Sequence, residues 1–396
     1  MSLPTRALAL GIDEPFPAAL RGSAVSIGNF DGVHLGHIAL ISELRRVADQ
    51  ERAQTVVVTF DPHPLRLLAP DRFMPQLTTP EERAELLLRA GADWVVILKT
   101  TQELLQLEAD EFLRRLLLNG LAAKAVVEGF NFHFGKDRQG TPQSLQTWCN
   151  NHDMACHIVA AKLGSNNEPI SSSRVRAALD AGDVVGAARL LGRPYRLQGR
   201  VITGDRRGKE LGFPTANLGD IRTVIPGDSV YAVSVKCDFG TFTGAANFGP
   251  NPTFGVTARK VEVHLLDFDG DLYDQEIEIE FAEQLRQTRK FASKDELVRQ
   301  LTLDIERARA SAARTVEDKT PNLKQRVEAV LREQVAPALF LDGAGFEVLD
   351  VTDGVVRMRM TGACMSCPST IMTLIMGIEQ ELRKHIPEIE YLEAVP

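Results

Sequence analysis

The chain has 396 residues, enough for two or three domains at ~150 residues each, and its 44% hydrophobic and 25% charged content can bury cores without staples. A formal net charge of -8 excludes a basic field for nonspecific nucleic-acid binding, and no apolar run approaches the ~20 residues that span a bilayer, so neither nucleic acid nor membrane is expected as a partner. The N-terminus lacks a signal-peptide layout, because Leu8-Ala9-Leu10 is cut short by Asp13 and Glu14, and five cysteines, an odd number, suit a reducing cytosol rather than a disulfide framework.

Ala24 to Ile27 is short, apolar and partly β-branched, which predicts a buried strand, and Ile38 to Gln50 carries apolar residues at helical spacing. Between them, Gly28-Asn29-Phe30-Asp31-Gly32-Val33-His34-Leu35-Gly36-His37 is a strand-to-helix turn. Its glycines let backbone approach a bulky ligand. His34 and His37 lie three apart at a helix start, so both can face one point. A helix N-terminus favours an anion, and two imidazoles beside it suit a phosphate whose charge grows during transfer.

Thr55 to Phe60 predicts a strand that runs into Asp61-Pro62-His63-Pro64, where two prolines fix an extended turn. Glu81 to Ala90 predicts a helix with a Leu face, Trp94 to Leu98 a strand, Ala109 to Leu118 a helix, and Ala125 to Val127 the start of the next strand. Strands separated by helices imply a parallel sheet whose ligands bind beyond the carboxyl ends of the strands. Gly28 to His37, Thr59 to Pro64 and Glu128 to Gly135 should therefore converge. In Gly129 to Arg138 aromatics interleave with polar groups. They form either a slot for a flat ring system, with Asn131 supplying an amide, or a strand with core phenylalanines. In Ile170-Ser171-Ser172-Ser173-Arg174-Val175-Arg176 the serines cap a helix, while two arginines sit where its dipole opposes cations. A bound polyphosphate explains them; a solvated basic turn is the alternative.

These four ordered motifs resemble the bacterial bifunctional riboflavin kinase/FMN adenylyltransferase family, also called FAD synthetase, over residues 1 to about 310. The family's nucleotidyltransferase half carries G-x-F-D-G-x-H-x-G-H, T-F-x-P-H-P, G-x-[D/N]-F-x-F-G and I-S-S-[ST]-x-[IV]-R, matched by Gly28 to His37, Thr59 to Pro64, Gly129 to Gly135 and Ile170 to Arg176. Asn131 stands where many members have Asp. The resemblance implies an α/β Rossmann-like nucleotidyltransferase in which His34, His37 and Asn131 are catalytic. Gly28, Phe30, Asp31, Gly36, Ser171, Ser172, Ser173, Arg174 and Arg176 would bind the nucleotide.

Asp183 to Leu191 predicts one more short helix, stopped by Gly192 and Pro194. From Arg196 to Phe281 the patterning becomes short and alternating, over Leu197 to Val201, Val230 to Val235, Lys260 to Leu265 and Glu276 to Phe281, which predicts a small all-β barrel. In Gly204 to Asn217, Gly204, Arg207, Gly208 and Lys209 suit a loop over phosphates. The Thr215 hydroxyl and Asn217 carbonyl oxygen are hard ligands suited to Mg²⁺ with a nucleotide. The run Gly-Phe-Pro-Thr-Ala-Asn resembles the riboflavin kinase motif. Glu262 and His264 share a strand face, and the resemblance makes Glu262 the general base for the ribityl hydroxyl. Leu285 to Phe291 resembles the family's L-R-x-x-x-x-F, which implies Arg286 and Phe291 near the flavin. A helix from Ser293 to about Ala312 closes this part.

Ala310 to Thr320 is small and polar and ends at Pro321, which predicts a linker. Leu323 to Val335 predicts a helix, Val355 to Met360 a strand, and Ile371 to about His385 a helix. Cys364 and Cys367, spaced CxxC before that helix, fit a thioredoxin-like dithiol, half a metal site or two inert cysteines. The residues after Pro321 resemble the NifU-type iron–sulfur scaffold domain, through Gly362, Cys364, Cys367, Pro368, Thr373-Leu374, Gly377-Ile378-Glu379 and Ile386-Pro387-Glu388; Asp342-Gly343-Ala344-Gly345 replaces the commoner D-G-G-D. The resemblance implies an iron–sulfur cluster on an α+β domain. Two thiolates cannot complete a Cys₄ set, so a homodimer through the cluster is expected, with iron–sulfur donor or acceptor proteins as partners.

The expected organisation is an adenylyltransferase over 1–190, a kinase barrel over 191–312, a linker over 313–321 and a NifU-like domain over 322–396. The expected function is ATP-dependent phosphorylation of riboflavin to FMN, then adenylylation of FMN to FAD, in the cytoplasm. The rivals are a different HxGH adenylyltransferase, acting on a pantetheine or nicotinate nucleotide, and a flavin or nucleotide binding module without turnover.

Overall fold

A computed structural model describes residues 3–164, 166–204, 212–251, 256–319, 323–335, 344–352, 354–362 and 368–395. Residues up to Ala312 form one compact unit and those from Ala313 a second.

The first unit begins with six parallel strands: β1 (Ala7–Leu10), β2 (Ala24–Ile27), β3 (Thr55–Asp61), β4 (Trp94–Lys99), β5 (Ala125–Gly129) and β6 (Ala155–Val159). Their order is β1-β4-β3-β2-β5-β6, every neighbouring pair parallel. β2 is buried along its whole length, as a central strand covered on both faces must be. The helices are α1 (Leu35–Gln50), α2 (Pro64–Leu68), α3 (Pro80–Arg89), α4 (Gln102–Leu105), α5 (Ala109–Leu113), α6 (Pro142–Asn150), α7 (Ser172–Asp180) and α8 (Val184–Leu191). The helix expected to run to Leu118 changes after Leu113 to wider π turns over Arg114–Gly120. β1 has no counterpart in the sequence reading.

The chain then closes a barrel from β7 (Arg196–Ile202), β8 (Ala216–Gly219), β9 (Ser229–Cys237), β10 (Gly240–Asn251), β11 (Val256–Leu265) and β12 (Glu276–Gln287), in the order β10-β11-β8-β7-β12-β9. Along β11, Val261, Val263 and Leu265 are buried, so Glu262 and His264 lie on the opposite face. Val175, Leu179, Val184, Ala187 and Leu191 of α7 and α8 belong to the same hydrophobic cluster as the barrel interior. Leu77, just before α3, joins them.

The helix after the barrel runs over Lys294–Lys319. Residues 310–319, expected as a linker, are helical here, since Ala310, Ala312 and Ala313 are strong helix formers. The second unit holds a helix over Leu323–Val330, then β13 (Ala344–Thr352), β14 (Val355–Gly362), a helix over Pro368–His385 and β15 (Tyr391–Val395). The strands form one sheet in the order β13-β14-β15. Its core includes Val327, Leu331, Val356, Met358, Ile378, Leu382 and Ile386. No helix among the described residues is long and apolar enough to cross a membrane.

Candidate functional site

β2 lies between β3 and β5, so the segments that follow these three strands meet at one sheet edge. The turn after β2 is backbone-strained: Phe30, Gly32 and Val33 have φ of 46°, 82° and 39°. It delivers His34 as the N-cap of α1, with its Nδ1 accepting from the His37 backbone N–H at 3.3 Å. That contact leaves the His34 proton on Nε2, free to donate elsewhere. The two rings stack with centroids 3.6 Å apart, and Phe30 meets His37 edge-on at 5.1 Å. Gly36 leaves room for this stack, since a Cβ there would stand 3.1 Å from His34 Nδ1. Burial pushes His34 down to about 4, and it holds His37 well below the usual imidazole range, with the His34 and Arg83 charges adding to the effect. Both rings are therefore neutral at pH 7. His37 Nδ1 is buried without a hydrogen-bond partner, as a group awaiting a ligand oxygen would be.

Asp31 turns inward. Its carboxylate accepts from the N–H groups of Leu77 and Thr78 and the Thr78 hydroxyl, and it pairs with Arg176. Asp31, which the resemblance would place at the nucleotide, thus ties the turn after β2 to residues 77–78 and to α7. Arg176 also donates to the Pro75 carbonyl, and Arg174 to the carbonyls of Glu168 and Pro169. Ser171 caps α7, Ser172 donates to the Asp31 carbonyl at 2.8 Å, and Ser173 is exposed. The aromatic run divides. Phe132 and Phe134 stack at 5.2 Å and pack with the core, whereas Phe130 is 51% exposed and Asn131 is also exposed.

At this edge Arg83 escaped the sequence reading, and His63 was read only as part of the T-F-x-P-H-P match. Arg83 of α3, fully buried, donates to the carbonyls of Asn29 at 3.0 Å and Phe60 at 2.9 Å, tying the turn after β2 to the end of β3. His63 caps α2 by accepting from the Leu65 N–H, and burial lowers it to about 4. The sequence offered no sign of Arg83 beyond a charge on a helix face that is otherwise apolar.

On the barrel, Glu262 of β11 lies directly opposite Asn217 of β8 and, on its other side, opposite Asn247 of β10. Cross-strand partners share a face, so three adjacent strands present a row of an amide, a carboxylate and an amide. Asn247 was not singled out from the sequence. Gly204 abuts the Asn217 carboxamide. Thr215 is exposed, and the His264 Nδ1–H donates to the Pro214 carbonyl at 2.7 Å, holding that segment against β11. Arg207, Gly208 and Lys209 lie outside the described residues, as do Cys364 and Cys367. Arg286 grips the buried Asp304 carboxylate through Nε and Nη2 at 2.9–3.1 Å and lies 5.4 Å over the Phe291 ring. Among the described residues no three His, Cys, Asp or Glu side chains gather as a metal site.

A neutral histidine pair at a helix N-terminus on a parallel sheet, followed by a closed barrel with a polar row, defines a nucleotidyltransferase joined to a flavokinase. Family models match in this order: FAD synthetase over residues 16–174, riboflavin kinase over 191–312 and a NifU-like domain over 327–393. Proteins described as bifunctional riboflavin kinase/FMN adenylyltransferase are similar to it. That of Pseudomonas fluorescens is 40% identical over 74% of this chain and 94% of its own, and that of Escherichia coli K12 is 36% identical over the same shares. A crystal structure described as a macrolide-efflux protein from Streptococcus pneumoniae matches with a TM-score of 0.68 and 31% identity, over 77% of this chain and 99% of its own. The chain belongs to the bifunctional riboflavin kinase/FMN adenylyltransferase family and carries a NifU-like domain in addition.

Proposed function

We propose that His34 and His37 form the adenylyl-transfer pair and that Glu262, Asn217 and Thr215 serve the kinase. The observation that carries this reading is the stacked pair of neutral imidazoles at the start of α1. An FMN phosphate oxygen attacks the α-phosphorus of ATP, the bond to the β-phosphate oxygen breaks, and pyrophosphate leaves with the electron pair. Charge grows on the α-phosphate oxygens as this happens. The His34 Nε2–H and the unsatisfied His37 edge meet that charge without giving up a proton. The exposed Phe130 and Asn131 after β5 sit at the same sheet edge and suit the flavin.

In the kinase, Glu262 takes the proton of the ribityl hydroxyl as its oxygen bonds to the γ-phosphorus and ADP departs. Thr215 and Asn217 supply hard oxygen donors of the kind Mg²⁺ takes, and the ion would offset charge on the transferring phosphate. Replacing His37 by Ala should lower FAD formation ~10²–10³-fold and spare FMN formation. Glu262→Gln should lower FMN formation ~10²–10⁴-fold and spare FAD formation from supplied FMN. Unchanged FAD synthesis in His37→Ala would refute the histidine assignment.

For the third region we propose an iron–sulfur cluster held by Cys364 and Cys367 and shared with a second copy. The match to a NifU-like domain over 327–393 and the soft thiolate donors support it. Anaerobic reconstitution of the full chain should retain iron and sulfide in near-equal amounts. Cys364→Ser or Cys367→Ser should abolish that loading with both flavin reactions intact. Both reactions are assigned to the cytoplasm, whose reducing conditions suit free thiols.

A further inference from the structure

We infer that Arg193 is a positioning residue for adenylyl transfer, one that holds the histidine-bearing turn in shape from the barrel side of the first unit. The inference rests on the reading of His34 and His37 given above and assigns a new residue to that site.

The turn needs such a residue. Phe30 and Val33 sit at positive φ without being glycine, a strained conformation that persists only when its surroundings enforce it. The enforcing contacts can be named. The Gly32 N–H donates to the Thr78 hydroxyl at 3.1 Å, and the Val33 N–H to the Phe30 carbonyl at 3.1 Å. The carbonyls of the same two residues, Gly32 and Val33, both receive Arg193, at 2.8 Å from Nη2 and 3.1 Å from Nη1. A planar guanidinium can bridge two successive carbonyls in this way; an ammonium cannot do so with fixed geometry. Val33 immediately precedes His34, so a shift of this peptide moves the imidazole directly.

Packing fixes where Arg193 stands. α8 ends at Gly192, whose φ of +75° turns the chain toward α1. A Cβ at Gly192 would lie 2.5 Å from Leu35 Cδ2, and one at Gly32 would lie 2.7 Å from Leu77 Cδ1 and 3.5 Å from Leu191 Cδ2. The Gly192 backbone thus packs on the Leu35 side chain, and the Gly32 backbone on the side chains of Leu77 and Leu191. On its other side Arg193 is anchored in the barrel: Tyr195 is buried in that core and donates to the Val224 carbonyl at 2.7 Å. Arg196 pairs with Glu280 at 2.8 Å and Glu278 at 3.4 Å on β12. The Arg193 charge also opposes protonation of His34, which supports the same role. The adenylyl-transfer turn is therefore braced by a residue that lies within the span of the kinase family match, 191–312.

The test uses the full chain and measures FAD formation from FMN and MgATP beside FMN formation from riboflavin. Arg193→Met should lower the kcat of adenylylation ~10²-fold, the cost of an ångström-scale misplacement, with the KM for MgATP changed only a few-fold. FMN formation should be unchanged, and the acid limb of the FAD-forming profile should move upward. Arg193→Lys, which keeps the charge but not the fork, should fall between. In a His37→Ala background, Arg193→Met should cost little more, because a residue that acts through the pair has nothing left to position. Unchanged adenylylation in Arg193→Met overturns the inference, as does a pure rise in KM. Loss of both activities together also overturns it, since Arg193 would then be a general strut. If His37→Ala abolishes FAD synthesis while Arg193→Met does not, the Arg193 assignment alone fails. If His37→Ala is silent, the reading beneath it fails.

Discussion

Gly204→Ala tests the role proposed for Asn217 in the kinase apart from the rest of the fold. Gly204 has no positive φ to lose, so an alanine backbone is permitted there. The added methyl, however, would lie 2.5 Å from Asn217 Cγ and 3.0 Å from its Oδ1, against an ordinary contact of 3.4 Å or more. The carboxamide must retreat by about 1 Å, away from the row it shares with Glu262 and Asn247. A displacement of that size in a group that positions reactants costs about 10² in rate, or ~2.7 kcal/mol of barrier. The assay is riboflavin phosphorylation under saturating MgATP, with FAD formation from supplied FMN in the same preparation as the reference. FMN formation should fall ~10²-fold and FAD formation should not change. In an Asn217→Ala background the same substitution should add almost nothing, because the side chain it displaces is gone. A full-sized additional loss in that background would refute the reasoning, since Gly204 would then act by some route other than Asn217.

Two predictions concern pH. Glu82 faces Arg193, Arg196, Glu278 and Glu85, and burial raises it to about 7. The native state therefore holds an extra proton between about 4.5 and 7, and stability falls as pH rises through that window, by about 3 kcal/mol in all. Urea unfolding of Glu82→Gln should lack this slope and show a more stable protein at pH 8; an unchanged slope would refute it. His34 shifts the other way. Its lowered value, about 4, means that stability present above pH 6.5 is lost as pH falls toward 4, by about 3 kcal/mol. FAD formation should then lack an acid limb near 6.5 from this residue, and an acid limb there that disappears in His34→Asn would contradict the buried neutral ring.

What the sequence determined by itself is local. The turn from β2 into α1 could be read because apolar residues at a spacing of three and four define a helix, and the residues just ahead of it must then occupy its N-terminus. The alternation along β11 likewise placed Glu262 and His264 on one face, since successive side chains of a strand point to opposite sides. Periodicity reports which face of an element is buried, but not which distant group it meets. That limit explains the rest. Arg176 was legible as a cation out of place in a first helical turn, yet only the fold showed that it pairs with Asp31, 145 residues away. Arg193 reaches Gly32 across 161 residues, and Arg83 reaches Asn29 across 54. No short window contains either pair. Asn247 became visible only once β10 was registered against β11. The aromatic run after β5 had two consistent readings because alternation alone does not say which side of an irregular turn faces the core. Packing against Phe112 and the close approach of Gly140 decided it for Phe134, and left Phe130 outside. The tertiary structure therefore chose the partners of the charged side chains, because their interaction energies depend on distances that the order of residues does not encode.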